Sequence, residues 1–159
     1  MTPLPKHLLY PSDIYVSTNP CIVSTILGSC VSVCLHDHLL KYGAINHFIL
    51  PHWNGQDLMT MKYGNMAIIR IMEELLKVGS KYENLTAKVF GGAEVLTGIS
   101  SSFHIGERNT EIALEILNEF KIPVIHSEVG GNKGRKIIFN TLTGEVECEF
   151  IRHRGKSTE

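Results

Sequence analysis

The sequence predicts an α+β fold: a layered α/β sandwich with a mixed, largely antiparallel sheet and two main helices packed on it. Three observations predict it. Short β-branched apolar runs outnumber helical stretches. Most neighbouring runs are separated by tight turn signals, among them Asn19-Pro20 and Thr143-Gly144, too short for the crossovers of a parallel sheet. Only two stretches carry the three-and-four spacing of an amphipathic helix.

Taken in order, residues 1–13 are rich in proline and polar residues and read as an N-terminal arm. Ile14 to Ser17 is a first short strand. Cys21 to Leu27 is β-branched and apolar and halts at Gly28-Ser29, as a buried strand entering a sharp turn does. Beyond it Val31, Val33 and Leu35 alternate with Ser32, Cys34 and His36, the period of a strand with one buried face. A short helix opening at Cys30 is the alternative. Tyr42 to Leu50 is a further strand, stopped by Pro51.

Asn65 to Val78 is the clearest helix, with Met66, Ile69, Met72 and Leu76 as its stripe, Asn65 as its cap and Gly79 just past its end. Leu85 to Phe90 is a strand running into Gly91-Gly92. Asn109 or Thr110 caps a second helix through about Phe120, whose stripe is Ile112, Ile116, Leu117 and Phe120. Pro123 to Val129, Arg135 to Asn140 and Glu145 to Ile151 are strands. Residues 152–159 read as a flexible tail.

A chain of 159 residues is long enough for one well-buried core, so a single domain over 1–159 suffices. Fifteen Lys and Arg against sixteen Asp and Glu leave no broad field for phosphate backbones or anionic lipid, which argues against a nucleic-acid partner. No run reaches the length of a membrane span, and the N-terminal residues lack a signal peptide's apolar segment. A cytoplasmic protein with no direct membrane insertion is the expectation. Its four cysteines then read as reduced thiols.

Cys30 sits just after the Gly28-Ser29 turn, and His47 lies on the next apolar run. A thiol is a poor nucleophile until it loses its proton, so it needs a base in reach and amide donors for the oxyanion. Gly28 and Ser29 permit the tight turn that presents such donors. The plain alternatives are a buried, inert Cys30 and a packed core His47 beside Ile45 and Ile49. A third group usually orients the imidazole, and Ser24 and Thr25 are the candidates; a strand points them to opposite faces, so only one can serve.

A rival grouping, Cys30, Cys34, His36 and His38, has metal-ligand chemistry. Alternate residues of a strand are roughly 6.6 Å apart, so this set spans too far to close on one zinc without a sharp bend. Gly91-Gly92 and Gly130-Gly131 form no phosphate-binding fingerprint and read as tight turns between layers. Arg108 and Arg135 read as solvated arginines, with a partner's acidic residue as the alternative.

Six segments, STILGSCVSVCLHD, GAINHFILP, YGNMAIIRIMEEL, AKVFGGAEV, IGERNTEIALEIL and EVGGNKGRKIIFNTLTGEV, occur in this order along nearly the whole chain. Together their GSC, NHF, FGGA, IGxRN, VGG and GRK motifs resemble the chemoreceptor glutamine deamidase family, CheD. The resemblance implies a layered sandwich similar to the thiol deamidase domain of certain bacterial toxins, and hydrolysis of glutamine side-chain amides on methyl-accepting chemotaxis receptors. It implies Cys30 as nucleophile and His47 as base, no cofactor and no metal. The family's orienting hydroxyl is typically a threonine at the position of Ser24, with Thr25 adjacent, so the resemblance favours Ser24 and keeps Thr25 as the alternative. It further implies glutamate methylesterase activity in some members and partnership with a CheC-type phosphatase. An adaptor of that phosphatase is the competing reading.

Overall fold

The computed structural model describes residues 3–94 and 103–152. Among these residues nine strands and two α-helices form three layers: the helices, a five-stranded sheet, and a four-stranded sheet beneath it. The strands are β1 (Lys6–Leu8), β2 (Ile14–Ser17), β3 (Ile22–Leu27), β4 (Val31–Asp37), β5 (Tyr42–Asn46), β6 (Leu85–Gly91), β7 (Val124–Val129), β8 (Arg135–Asn140) and β9 (Val146–Phe150). The helices are α1 (Gly64–Lys77) and α2 (Ile105–Glu119).

The expected class holds, and the strands divide between two sheets rather than one. The order is β1-β3-β8-β9 in the first and β2-β5-β4-β6-β7 in the second. Each sheet is antiparallel except for one parallel pair, β1 with β3 and β6 with β7. The residues read as an arm thus contribute a strand, and Leu9 beyond it is buried. Of the tail, residues 153–159 lie outside the described residues.

Strand parity explains both cores. Val31, Val33 and Leu35 of β4 face the helices, with Ala44, Phe48, Ala87 and Val89 beside them. The opposite parity, Cys34 and Ile45 with Phe90, meets Val23, Leu27, Ile137 and Phe139 of the other sheet. Large apolar side chains fill both layers, each worth about 1.5–3 kcal/mol when fully buried. The central sheet is therefore covered on both faces, which explains why every residue of β4 except His36 is buried, not one face alone.

Helix α1 buries Ala67, Ile68, Ile71, Met72 and Leu75. The expected stripe of Met66, Ile69, Met72 and Leu76 is rotated from this face, because apolar residues cover more than half of the helix and two stripes obey the same spacing. Asn65 is no cap. Tyr63 occupies that position without a side-chain bond, and Asn65 Oδ1 accepts the Trp53 N–H at 2.9 Å. The end is as expected: Gly79 at φ 111° closes a Schellman turn, with Gly79 N–H to Leu76 O and Ser80 N–H to Leu75 O.

Helix α2 starts four residues before the expected cap. His104 precedes it in the left-handed region, at φ 53°, and gives no side-chain cap. Asn109 consequently lies inside the helix and faces inward, fully buried, with Ile112, Ala113, Ile116 and Leu117 continuing its face.

Candidate active site

The β3 to β4 turn and the irregular end of β5 build the site together. Val31 and Phe48 exchange backbone N–H···O bonds at 3.2 and 3.0 Å, and both side chains enter the helix-side core. Cys30 and His47, one residue before each, therefore point to the other face, between the sheets. They are diagonal neighbours across that pair, a separation that long side chains span. Cys30 is half-buried against the inter-sheet core and His47 is buried.

The end of β5 is shaped by Asn46. Val33 faces it in register, yet the Val33 N–H bonds to the Asn46 side-chain Oδ1, at 2.8 Å, instead of the ladder carbonyl. Strand alternation directs the backbone of the next residue, His47, to the β2 side. There the His47 N–H donates to Asp13 O at 3.2 Å and its carbonyl accepts the Ser12 N–H at 2.8 Å.

The imidazole is oriented by Thr25. Its Oγ1 lies 2.7 Å from His47 Nδ1 and 2.8 Å from the Leu9 carbonyl. A carbonyl only accepts, so the hydroxyl proton goes to Leu9 and Thr25 accepts from Nδ1–H. That fixes the tautomer and leaves the Nε2 lone pair free, as a general base requires. Of the two candidate hydroxyls, Thr25 shares the inward parity of Val23 and Leu27. Ser24 shares the outward parity of Ile22 and Ile26 and makes no bond to the ring.

Burial shifts both Cys30 and His47 toward neutrality. His47 is lowered to about 4 by burial, which outweighs the opposing Asp13 carboxylate. The Cys30 thiol is raised by burial, partly offset by the bond from its own backbone N–H. At rest the shared face carries a neutral thiol and a neutral imidazole.

The turn before Cys30 is held by its carbonyls. Gly28 O accepts the Ala93 N–H at 3.0 Å, Ser29 O accepts the Asn109 side-chain amide at 3.0 Å, and Cys30 O accepts the Gly92 N–H at 2.9 Å. Three successive carbonyls thus face protein donors. Among the described residues, neither the Ser29 nor the Cys30 N–H meets a backbone carbonyl; that of Cys30 faces its own sulfur. Ser29 and Cys30 are themselves half-buried, and N–H groups not committed to a backbone carbonyl are the donors an oxyanion needs.

The motifs scattered along the chain converge here. Gly91, expected in a plain turn between layers, continues β6 at φ 109°, and a Cβ on it would stand 2.2 Å from Cys30 O. Gly91 O in turn accepts from the Gly130 N–H at 3.0 Å and from Arg135 Nη1 at 3.2 Å. Arg135 is accordingly buried, not solvated, whereas Arg108 is exposed. Sequence reasoning missed Asn46, Asn109 and Arg135 as supports of the site. The only available signal was their place inside the NHF, IGxRN and GRK motifs.

The rival metal grouping is spread along a regular strand. Cys34 is buried and its thiol is raised far above its usual range by burial, and His36 Nε2 contacts Leu142 O at 2.9 Å. Among the described residues one other group has ligand spacing, Glu94, His104 and Glu107, within 4.8 Å of one another. Glu94 already accepts the Glu107 N–H there. No helix among the described residues is long and apolar enough to cross a membrane.

Comparison with known proteins agrees with this arrangement of motifs. Residues 49–150 match the family described as CheD chemotactic sensory transduction. A Trichlorobacter lovleyi protein named "Probable chemoreceptor glutamine deamidase CheD" is 48% identical over 145 residues, 91% of this chain and 90% of the relative. A Sulfurimonas denitrificans protein of the same name is 36% identical over 148 residues, 92% of this chain and 95% of its own. Among solved structures, a Neisseria meningitidis protein of the DUF152 family aligns with TM-score 0.47 and 9% identity, over 80% of this chain and 64% of its own. The family match covers the supporting elements from Ile49 onward, and the relatives extend over most of the chain; on both, this chain belongs to the CheD family.

Proposed function

We propose that this protein deamidates glutamine side chains of methyl-accepting chemoreceptors, with Cys30 as nucleophile and His47 as general base and acid. The reading is supported by its family and by the relatives' shared name. The observation that carries the mechanism is the Leu9–Thr25–His47 relay on the face that Cys30 also occupies. Thr25, and not Ser24, is the positioning hydroxyl.

His47 Nε2 takes the thiol proton as Sγ attacks the amide carbon. The oxyanion is met by the N–H groups of the Gly28 to Cys30 turn. The imidazolium then protonates the amide nitrogen, the C–N bond breaks, and ammonia leaves a thioester. Water, losing a proton to His47, attacks that carbonyl. The C–S bond breaks, the thiolate recovers the proton, and glutamate results.

The low affinity of His47 for protons suits the hardest step. Amide nitrogen is a poor leaving group, and an imidazolium whose neutral form is favoured by burial is a strong donor. Proton transfer from the thiol is correspondingly uphill and waits for the substrate. A glutamate methyl ester would pass through the same thioester with methanol as leaving group, so methylesterase activity follows from the same residues. The conversion adds a negative charge to the receptor's helical bundle and shifts its electrostatics. Binding to a CheC-type phosphatase is the second reading; it needs a surface and no relay, and the intact relay favours the hydrolase.

The test is mass spectrometry of a purified receptor cytoplasmic domain incubated with the protein or with Cys30→Ala. The expected result is a gain of about one dalton at specific glutamines with the intact protein alone. An unchanged receptor mass, with the phosphatase still bound, would replace this reading by the adaptor.

A further inference from the structure

Asn109 lies on neither reacting strand, yet it touches both. Its side-chain Nδ2 donates to Ser29 O at 3.0 Å and to Ile49 O at 2.9 Å. Ser29 is the residue before the nucleophile, and Ile49 is two beyond the histidine. One planar carboxamide, rooted in the first turns of α2, thus spans the two segments that carry the reacting groups.

Its orientation is fixed by chemistry. Both neighbours are carbonyls, so only the NH2 end fits, and rotating the amide would oppose oxygen to oxygen at two places. The cost of this arrangement is visible at the other end. Asn109 is fully buried, and its Oδ1 has no partner among the described residues. An apolar residue would avoid that unpaired acceptor, and a residue chosen for packing alone would not leave one.

We propose that Asn109 is a positioning residue for the oxyanion site. By holding the Ser29 carbonyl toward α2 it turns the following peptide N–H, that of Cys30, to the substrate side of the turn. By holding Ile49 it keeps that donor at a set distance from the His47 segment. Gly92 and Ala93 hold the carbonyls on either side, but they are backbone donors. Asn109 is the side chain that performs this task and so can be removed by substitution. The proposal rests on the thiol deamidase reading and concerns the geometry of its transition state.

The experiment separates acyl chemistry from thiol chemistry. Attack on an amide develops an oxyanion, whereas alkylation of Cys30 by iodoacetamide displaces iodide at a saturated carbon and develops none. For Asn109→Ala, turnover of the receptor domain should fall by about a hundredfold with KM little changed. The rate of Cys30 alkylation should stay within about threefold of wild type. Asn109→Ser, smaller but retaining one donor, should fall between the two and supplies the test if the alanine variant does not fold. Turnover near the wild-type value in a folded variant would overturn the proposal. So would parallel loss of turnover and alkylation, since that marks general disruption. Failure of the wild-type protein itself to release ammonia would instead strike the deamidase reading, a result that the Cys30→Ala control identifies.

Discussion

At the scale of residues, the decisive feature is a relay that ends on a peptide carbonyl. In a triad closed by a carboxylate the third member's charge stabilises the imidazolium. Here Leu9 O and Thr25 supply direction without charge, and His47 stays neutral down to about pH 4. Free Cys30 should therefore lack the flat, elevated reactivity of a thiolate–imidazolium pair. We expect its iodoacetamide alkylation rate to climb continuously through pH 9, following a raised thiol. A plateau established by pH 6 would disprove the neutral pair. That Cys30 and His47 would come to one face was legible in the sequence, because a thiol after a Gly-Ser turn and a histidine on the next strand are chemical signals. The choice between Ser24 and Thr25 was not. Alternation says that one faces the ring, but which one depends on the register of β3 against β8, a long-range pairing.

At the scale of elements, the supports come from β6, α2 and the loops around Gly130. The β6 end approaches so closely that a methyl group cannot enter between Gly91 and Cys30 O. Gly91→Ala should cost about 2–4 kcal/mol in urea unfolding and displace the nucleophile turn, lowering turnover with it. Gly130→Ala is the matched control: φ is also positive, at 85°, but nothing lies within 4 Å of its Cβ. Its cost should be about 1 kcal/mol. Equal losses for the two would show that backbone conformation, and not contact with Cys30, governs both. Most strand positions were legible from alternation and turn residues. The start of α2 was not, since His104 in the left-handed region gives no capping signal and Asn109 imitates one. A buried asparagine in a helix and a capping asparagine are the same letter.

At the scale of the whole molecule, two layers of core do different work. The helix-side core is built from apolar side chains, whereas the space between the sheets holds Thr25 and His47 among Val23, Leu27 and Ile45. This placement ties global stability to pH. The unfolded chain takes up a proton at His47 near 6.5, the folded chain near 4, so unfolding binds protons between these values and stability falls as pH drops. Wild type should lose about 2 kcal/mol between pH 7 and pH 5 through this group. His47→Gln should not, so the gap between their unfolding free energies in urea must change by that amount; a constant gap would refute the buried neutral imidazole. The division into two sheets was not legible, because strands of either sheet show the same alternation and only their partners differ.

The order of these parts along the chain has a further consequence. Leu9, Thr25, Cys30 and His47 all lie in the first third of the sequence, while Gly92, Asn109 and Arg135, which restrain the nucleophile turn, follow much later. During synthesis Cys30 and His47 emerge from the ribosome well before these restraints. A chain cut after β5 carries Leu9, Thr25, Cys30 and His47 but lacks the Gly92, Asn109 and Arg135 contacts around the Cys30 turn. The full set of contacts around Cys30 therefore forms only when the later elements have been made.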